Sequence, residues 1–308
     1  MANFGGTGGA GQRCLRPAGS MYGDGVKRLV LLLSFSCAMW AAGPELEQAR
    51  KLYNLTEFDE SLKVLRGIPQ KDAVVYDLMG RNYYMQADYK KATEIFEKAV
   101  AAEPGNSGYN LWLGRAYGRR AEVSSMFTAP QYASKARQYF EKAVQLNPNN
   151  LEAQSDLFEY YLEAPGFLGG GFQKAAVTAG QIARLSPAEG HWAQAKLAEK
   201  RKEFSSAEEQ LRRAIELTPQ QVGRLVDLAR LLAKQGRLQE ADQSFARAES
   251  IAPGSPKVLF AKADFYIKTG RNLDVARDLL KRYLRLSLTP EDPPRSEAEK
   301  LLRQVQGS

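Results

Sequence analysis

Tyr76-Asp77-Leu78-Met79-Gly80-Arg81-Asn82-Tyr83, continued by Ala87, Tyr89, Ala92, Phe96, Ala99 and Pro104, is the stretch that decides the fold. Its apolar positions recur at three- and four-residue intervals, the period of a helix with one buried face. A break at Ala87 separates two such helices, and Pro104 ends the second because proline cannot continue one. Gly80, Ala92 and Ala99 are small enough to let the two helices approach closely. Tyr83 and Phe96 are large enough to fill the space between neighbouring pairs.

The same ladder returns at Leu225, Leu228, Ala229, Leu232, Gly236, Leu238, Ala241, Phe245, Ala248 and Pro253, and Pro219 and Pro253 lie 34 residues apart. Three looser copies lie between these two: Leu113 to Pro148, Leu157 to Pro187 and Ala195 to Pro219. Ala263, Tyr266, Gly270, Ala276, Leu280 and Tyr283 add another, and Ala49, Leu52, Phe58, Ser61 and Leu65 form a short opening unit. The pattern predicts an all-α array of about seven helix pairs over residues 45–287. Residues 288–308 then supply a linker and a capping helix, Ser296–Gln306, with Ala298, Leu301, Leu302 and Val305 inward. Atypical end units are expected where a stack must shield its last apolar face.

This ladder resembles that of the tetratricopeptide-repeat family over residues 45–287, with Tyr76 in the slot of the family tryptophan. The resemblance implies a right-handed αα-superhelix whose concave groove is lined by the first helix of each pair. It also implies protein or peptide binding. Carried onto this sequence, the family's groove positions are Asp77, Arg81, Tyr84, Arg115, Arg119, Glu159, Trp192, Lys196, Arg230, Lys234, Phe260, Asp264 and Lys268. Cations outnumber acids among them, so the expected partner is a protein or peptide of acidic character, held by arginine and aromatic anchors. The clamp with which some family members hold chaperone tails is absent: Asp77, Arg81, Trp112, Glu152 and Asp156 stand near its positions instead of its lysines and asparagines.

The first 43 residues read differently. Residues 1–20 are glycine-rich and aperiodic, and Met21 is a candidate true start. Lys27 and Arg28 precede an apolar run, Leu29–Ala42, of about 14 residues, shorter than the roughly 20 that span a bilayer. A basic flank, a short apolar run and small residues at its end describe a signal peptide, so the protein is expected to be exported, periplasmic or secreted. A lipid anchor on Cys37 is a second reading. Of a net charge of +8, Arg13, Arg16, Lys27 and Arg28 against Asp24 contribute +3. The remaining excess is spread along an array in which both signs alternate, which argues against nucleic-acid binding. Cys14 and Cys37 are the two cysteines, and residues 44–308 carry none.

Catalytic patterns are missing. His191 is the single histidine, so no histidine cluster or triad is available, and no metal or cofactor is expected. Gly169-Gly170-Gly171 lacks the Lys-Ser/Thr of a phosphate loop. An enzyme is the least favoured reading; the expected role is a non-enzymatic scaffold of the cell envelope. The alternative is an accessory subunit of an envelope transport or assembly machine that binds a solute or lipid. Two departures from the period stand out. About ten extra residues separate Gly114 from Ala136, and about five surround Ala164–Gly171. Both are expected in the turn inside a pair, on one edge of the array. They would present Met126, Phe127, Phe167, Leu168, Gly169, Gly170 and Gly171 as a joint binding lip, or pack on each other and seal that edge.

Overall fold

The computed structural model describes residues 43–306, and every regular element among them is helical. The leader up to Ala42, with Cys14, Met21 and Cys37, lies outside the described residues. Seven helix pairs follow in order: α1 (Pro44–Asn54) with α2 (Phe58–Gly67), α3 (Ala73–Met85) with α4 (Tyr89–Ala102), and α5 (Ser107–Glu122) with α6 (Ala129–Leu146). Then come α7 (Leu151–Glu163) with α8 (Phe172–Leu185), α9 (Pro187–Lys200) with α10 (Phe204–Leu217), and α11 (Val222–Lys234) with α12 (Leu238–Ile251). The last pair is α13 (Pro256–Thr269) with α14 (Leu273–Tyr283), and a single helix α15 (Arg295–Gln306) packs on both its members. Successive helices pack on their neighbours in sequence, as in a solenoid.

The chain punctuates itself with local chemistry. Asp72, Asp88, Asn106, Asn150 and Ser186 accept hydrogen bonds from backbone amides at the starts of α3, α4, α5, α7 and α9, satisfying donors that a helix leaves unpaired. Pro104, Pro148, Pro187, Pro219 and Pro253 each fall two residues beyond the end of a second helix.

The ladder does what its sizes demand. A Cβ built on Gly80 would lie 2.6 Å from the Phe96 ring, and one on Gly114 would lie 2.7 Å from the Phe140 ring. Each ring therefore lies flat on a glycine of its own pair. Phe96, Ala92 and Ala99 are fully buried. The apolar core runs along the array as two clusters that meet in α7, where Leu157 belongs to the first and Phe158 to the second. Ala298 and Val305 of α15 are buried in the second, with Leu301 and Leu302 partly buried beside them.

The extra residues before Ala136 are mostly helix rather than turn. They lengthen α5 and α6 and leave Val123–Thr128 as the connection, so this hairpin is the longest of the seven. The second insertion does form the turn, built around a 3-10 turn at Gly166–Leu168.

A candidate peptide groove

The first helices of the pairs line one concave groove of about 1680 Å³. Asp77, Arg81, Tyr84, Arg115, Arg119, Glu159, Trp192, Lys196, Arg230 and Phe260 all border it. Lys234, Asp264 and Lys268 do not. Lys234 and Asp264 sit one turn and Lys268 two turns further along their helices, where Lys234 reaches Glu199 and Lys268 pairs with Asp264 at 2.7 Å. Trp192 is nearly buried; its ring meets Phe158 at 5.7 Å and carries the Arg224 guanidinium on its face at 4.8 Å.

Most of the cations are already engaged. Arg81 binds Asp77 at 2.8 Å, and Arg115 bridges two helices to Asp156 at 2.5 Å and Glu152 at 3.2 Å. Arg224 holds Glu189 and, at 2.8 Å, Asp227. Arg119 pairs with Glu122. The excess of cations read from the sequence is therefore largely neutralised within the wall. Arg230 and Lys257 are the exceptions: both border the groove, both are exposed, and among the described residues neither has a hydrogen-bonding or ionic partner.

Aromatic rings fill the opposite stretch. Trp112 lies between Arg81 and Arg115, whose guanidinium carbons stand 4.4 and 5.0 Å from its centroid. Tyr84 meets the edge of Trp112 at 5.5 Å and Tyr89 at 5.5 Å. Burial pushes the Tyr53 and Tyr84 hydroxyls up to about 12, so both stay neutral donors. Burial also raises the Asp77 carboxyl, against the pull of Arg81, and one of its oxygens has no hydrogen-bond partner.

Trp112, Tyr89, Arg224 and Lys257 were not among the groove residues read from the sequence. The 34-residue step explains the miss for two of them: Trp112 falls on the register of the ladder residue Leu78, which reads as core, and Lys257 on that of Gly223, which has no side chain to read.

Glu159 is open to water yet enclosed by the groove walls. Its carboxyl is raised, first by burial and then by the charge of Asp156, with Lys196 opposing. A carboxyl raised above its unfolded value, about 4.3, binds protons more readily when folded. Its ionised form therefore costs stability that accumulates as pH rises from about 4 through the folded value. Glu159→Gln is expected to raise the unfolding midpoint at pH 7 and to leave it unchanged near pH 3.5, measured by thermal denaturation at both values.

The two inserted turns remain outside the groove. Met126, Phe127 and Phe167 are 79%, 88% and 81% exposed, so they do not pack on each other to seal the edge. Leu168 is only partly exposed, and its carbonyl accepts from the Tyr160 hydroxyl at 2.9 Å. The glycine triplet has a structural cause. Gly169 takes φ +87° beside the Arg137 guanidinium, and a Cβ on Gly170 would strike the Ala164 carbonyl oxygen at 1.9 Å. Gly171 closes the loop by donating to Tyr161 at 2.8 Å. The loop is thus bonded to itself, and it holds the Phe167 ring outward.

Family models of the tetratricopeptide repeat match residues 131–150, 192–256 and 226–293. Residues 131–150 and 192–293 are tetratricopeptide repeats. The chain is similar in fold to a tetratricopeptide protein of Thermus thermophilus, at 22% identity and a TM-score of 0.51, over 61% of this chain and 97% of that one. A tetratricopeptide-repeat protein of Parabacteroides merdae aligns over 85% of this chain and 97% of its own, at 14% identity and a TM-score of 0.56. No curated protein matches the chain. Among the described residues of this repeat protein, no helix is long and apolar enough to cross a membrane, and no group of side chains is placed to hold a metal. His191 shares a hydrogen bond with Gln210 at 2.7 Å, at the start of its repeat.

Proposed function

We propose that this repeat array is a protein-interaction scaffold of the cell envelope, and that its concave groove takes an extended or helical segment of a partner protein. The observation that carries the reading is the pair of unpartnered cations, Arg230 and Lys257, at one end of a groove whose other cations are neutralised. A segment with acidic side chains facing that end, and apolar or aromatic ones facing Tyr84 and Trp112, complements both halves. At a helix diameter near 10–12 Å and 1.5 Å rise per residue, about 1680 Å³ accommodates roughly 10–14 residues of helix. The interspersed carboxylates Asp77, Glu152, Glu159 and Asp227 favour a protein over a nucleic acid, whose phosphates they would repel. A groove walled by charged side chains also favours a peptide over the solute or lipid of the alternative reading, which needs a mostly apolar pocket. Export is supported by Lys27 and Arg28 ahead of Leu29–Ala42 and by the cysteine-free body. The outward rings of Phe127 and Phe167 are a second contact on the array's edge.

Affinity capture from an envelope fraction tests this, followed by photo-crosslinking from a probe at Arg230 to identify the bound segment. Arg230→Glu/Lys257→Glu is expected to reduce recovery of that partner about tenfold or more. Phe127→Ala/Phe167→Ala is expected to reduce recovery while changing stability by less than about 0.5 kcal/mol, since exposed rings contribute little to folding. The same partners recovered in the same amounts from the groove variant would sink the reading.

A further inference from the structure

The segment between α14 and α15 is a strap fixed to the C-terminal end of the array. Leu288 is buried in the second core cluster. The Tyr283 hydroxyl donates to the Pro293 carbonyl, and the Arg295 guanidinium donates to the carbonyls of Leu284 and, at 2.6 Å, Leu286. Asp292 closes an internal turn by accepting from the Thr289 amide at 2.9 Å and hydroxyl at 3.0 Å. Each of these hydrogen bonds is spent on the strap itself or on the last repeat.

Yet the strap lies at the first repeats. Pro290, Glu291, Asp292, Pro293 and Pro294, followed by Glu297 in the first turn of α15, border the same groove as Arg50, Tyr53 and Arg119. Seven pairs have carried the chain round until its end meets its beginning. The seam between them is loose. A cavity of about 220 Å³ separates Thr56, Phe58 and Met85 on one side from Leu288, Pro293 and Ser296 on the other. The single ion pair across it joins Arg119 to Glu297 at 3.8 Å, among the described residues.

We infer that this acidic, proline-rich strap is a built-in occupant of the first-repeat end of the groove, which an acidic partner segment displaces when it binds. The inference rests on the groove being the binding site. Three carboxylates, Glu291 and Asp292 of the strap and Glu297 of α15, border the groove with Arg50 and Arg119 and would repel an acidic segment on its way to Arg230 and Lys257. Anchorage to the last repeat and a loose seam toward the first repeats give the strap two positions, and a partner gains access in proportion to the open one. The prolines bring no backbone donors that would tie the strap to the first repeats.

The test uses the full chain carrying Cys14→Ser and Cys37→Ser, with spin labels on Lys63→Cys in α2 and Lys300→Cys in α15. Pulsed dipolar spectroscopy is expected to give a narrow distance distribution that lengthens and broadens with Glu297→Arg. Adding Arg119→Glu, which restores the pair with its charges exchanged, is expected to narrow it again. In the capture assay, Glu291→Gln/Glu297→Gln is expected to raise recovery of the groove-bound partner about threefold. Unchanged distances in Glu297→Arg, no recovery of the narrow distribution in the exchanged pair, or unchanged capture with the neutralised strap would each overturn the inference. Failure of the scaffold reading is distinguishable, because it shows as capture insensitive to Arg230→Glu/Lys257→Glu whatever the strap distances do.

Discussion

Phe96→Ala is expected to destabilise the array by about 3–5 kcal/mol, the range for removing a fully buried aromatic ring. The ring lies on Gly80, stacks at 6.1 Å against Trp112 of the next pair, and so ties two repeats together. Its loss opens a cavity at an interface that a solenoid cannot bypass, because each repeat is held only by its neighbours. The glycine beneath it sharpens the test. Gly80→Ala alone puts a methyl 2.6 Å from the ring and is expected to cost about 1–3 kcal/mol. In the Phe96→Ala background the methyl has room, and alanine's helix preference of about 1 kcal/mol over glycine makes the same change stabilising. The sign of Gly80→Ala should therefore reverse between the two backgrounds, read by denaturant unfolding of the four chains as a double-mutant cycle. Additive costs would show that the ring does not rest on Gly80.

Tyr283→Ala is expected to cost a similar amount, about 3–5 kcal/mol, but in a different place. Tyr283 is fully buried, its ring meets Phe260 at 5.5 Å, and its hydroxyl holds the strap at Pro293. Hydrogen exchange should show α13, α14 and α15 losing protection while α3 to α6, which belong to the other core cluster, keep theirs. Tyr283→Phe keeps the ring and loses the hydrogen bond, worth about 1 kcal/mol, so it should free the strap with little effect on the helices. Uniform loss of protection along the array would contradict the nearest-neighbour picture.

The site was less legible than the fold. Ten of the thirteen groove positions carried over from the family pattern do border the groove, because a face on an α-helix is fixed by local periodicity. Their charge state was not legible. Asp77 with Arg81 is four residues apart on one helix and can be read directly, but Arg115 with Asp156 and Arg224 with Glu189 join different pairs. Which acid meets which arginine depends on how far each pair rotates on the last, and counting charges in the sequence overstates the free cations.

By itself the sequence determined what is local and repeated: the fifteen helices of the described residues, their caps and proline stops, the small-on-large contacts of Gly80 with Phe96 and Gly114 with Phe140, and a last helix that covers the end. These depend on neighbours within about one repeat, and a 34-residue period records them. Only the tertiary structure decided that the strap at Pro290–Pro294 and the start of α15 return to Tyr53 and Arg119, and that Arg230 and Lys257 are the unpartnered cations of the groove. That outcome is the accumulated turn of seven stacked pairs, a sum of small rotations that no single stretch of residues encodes.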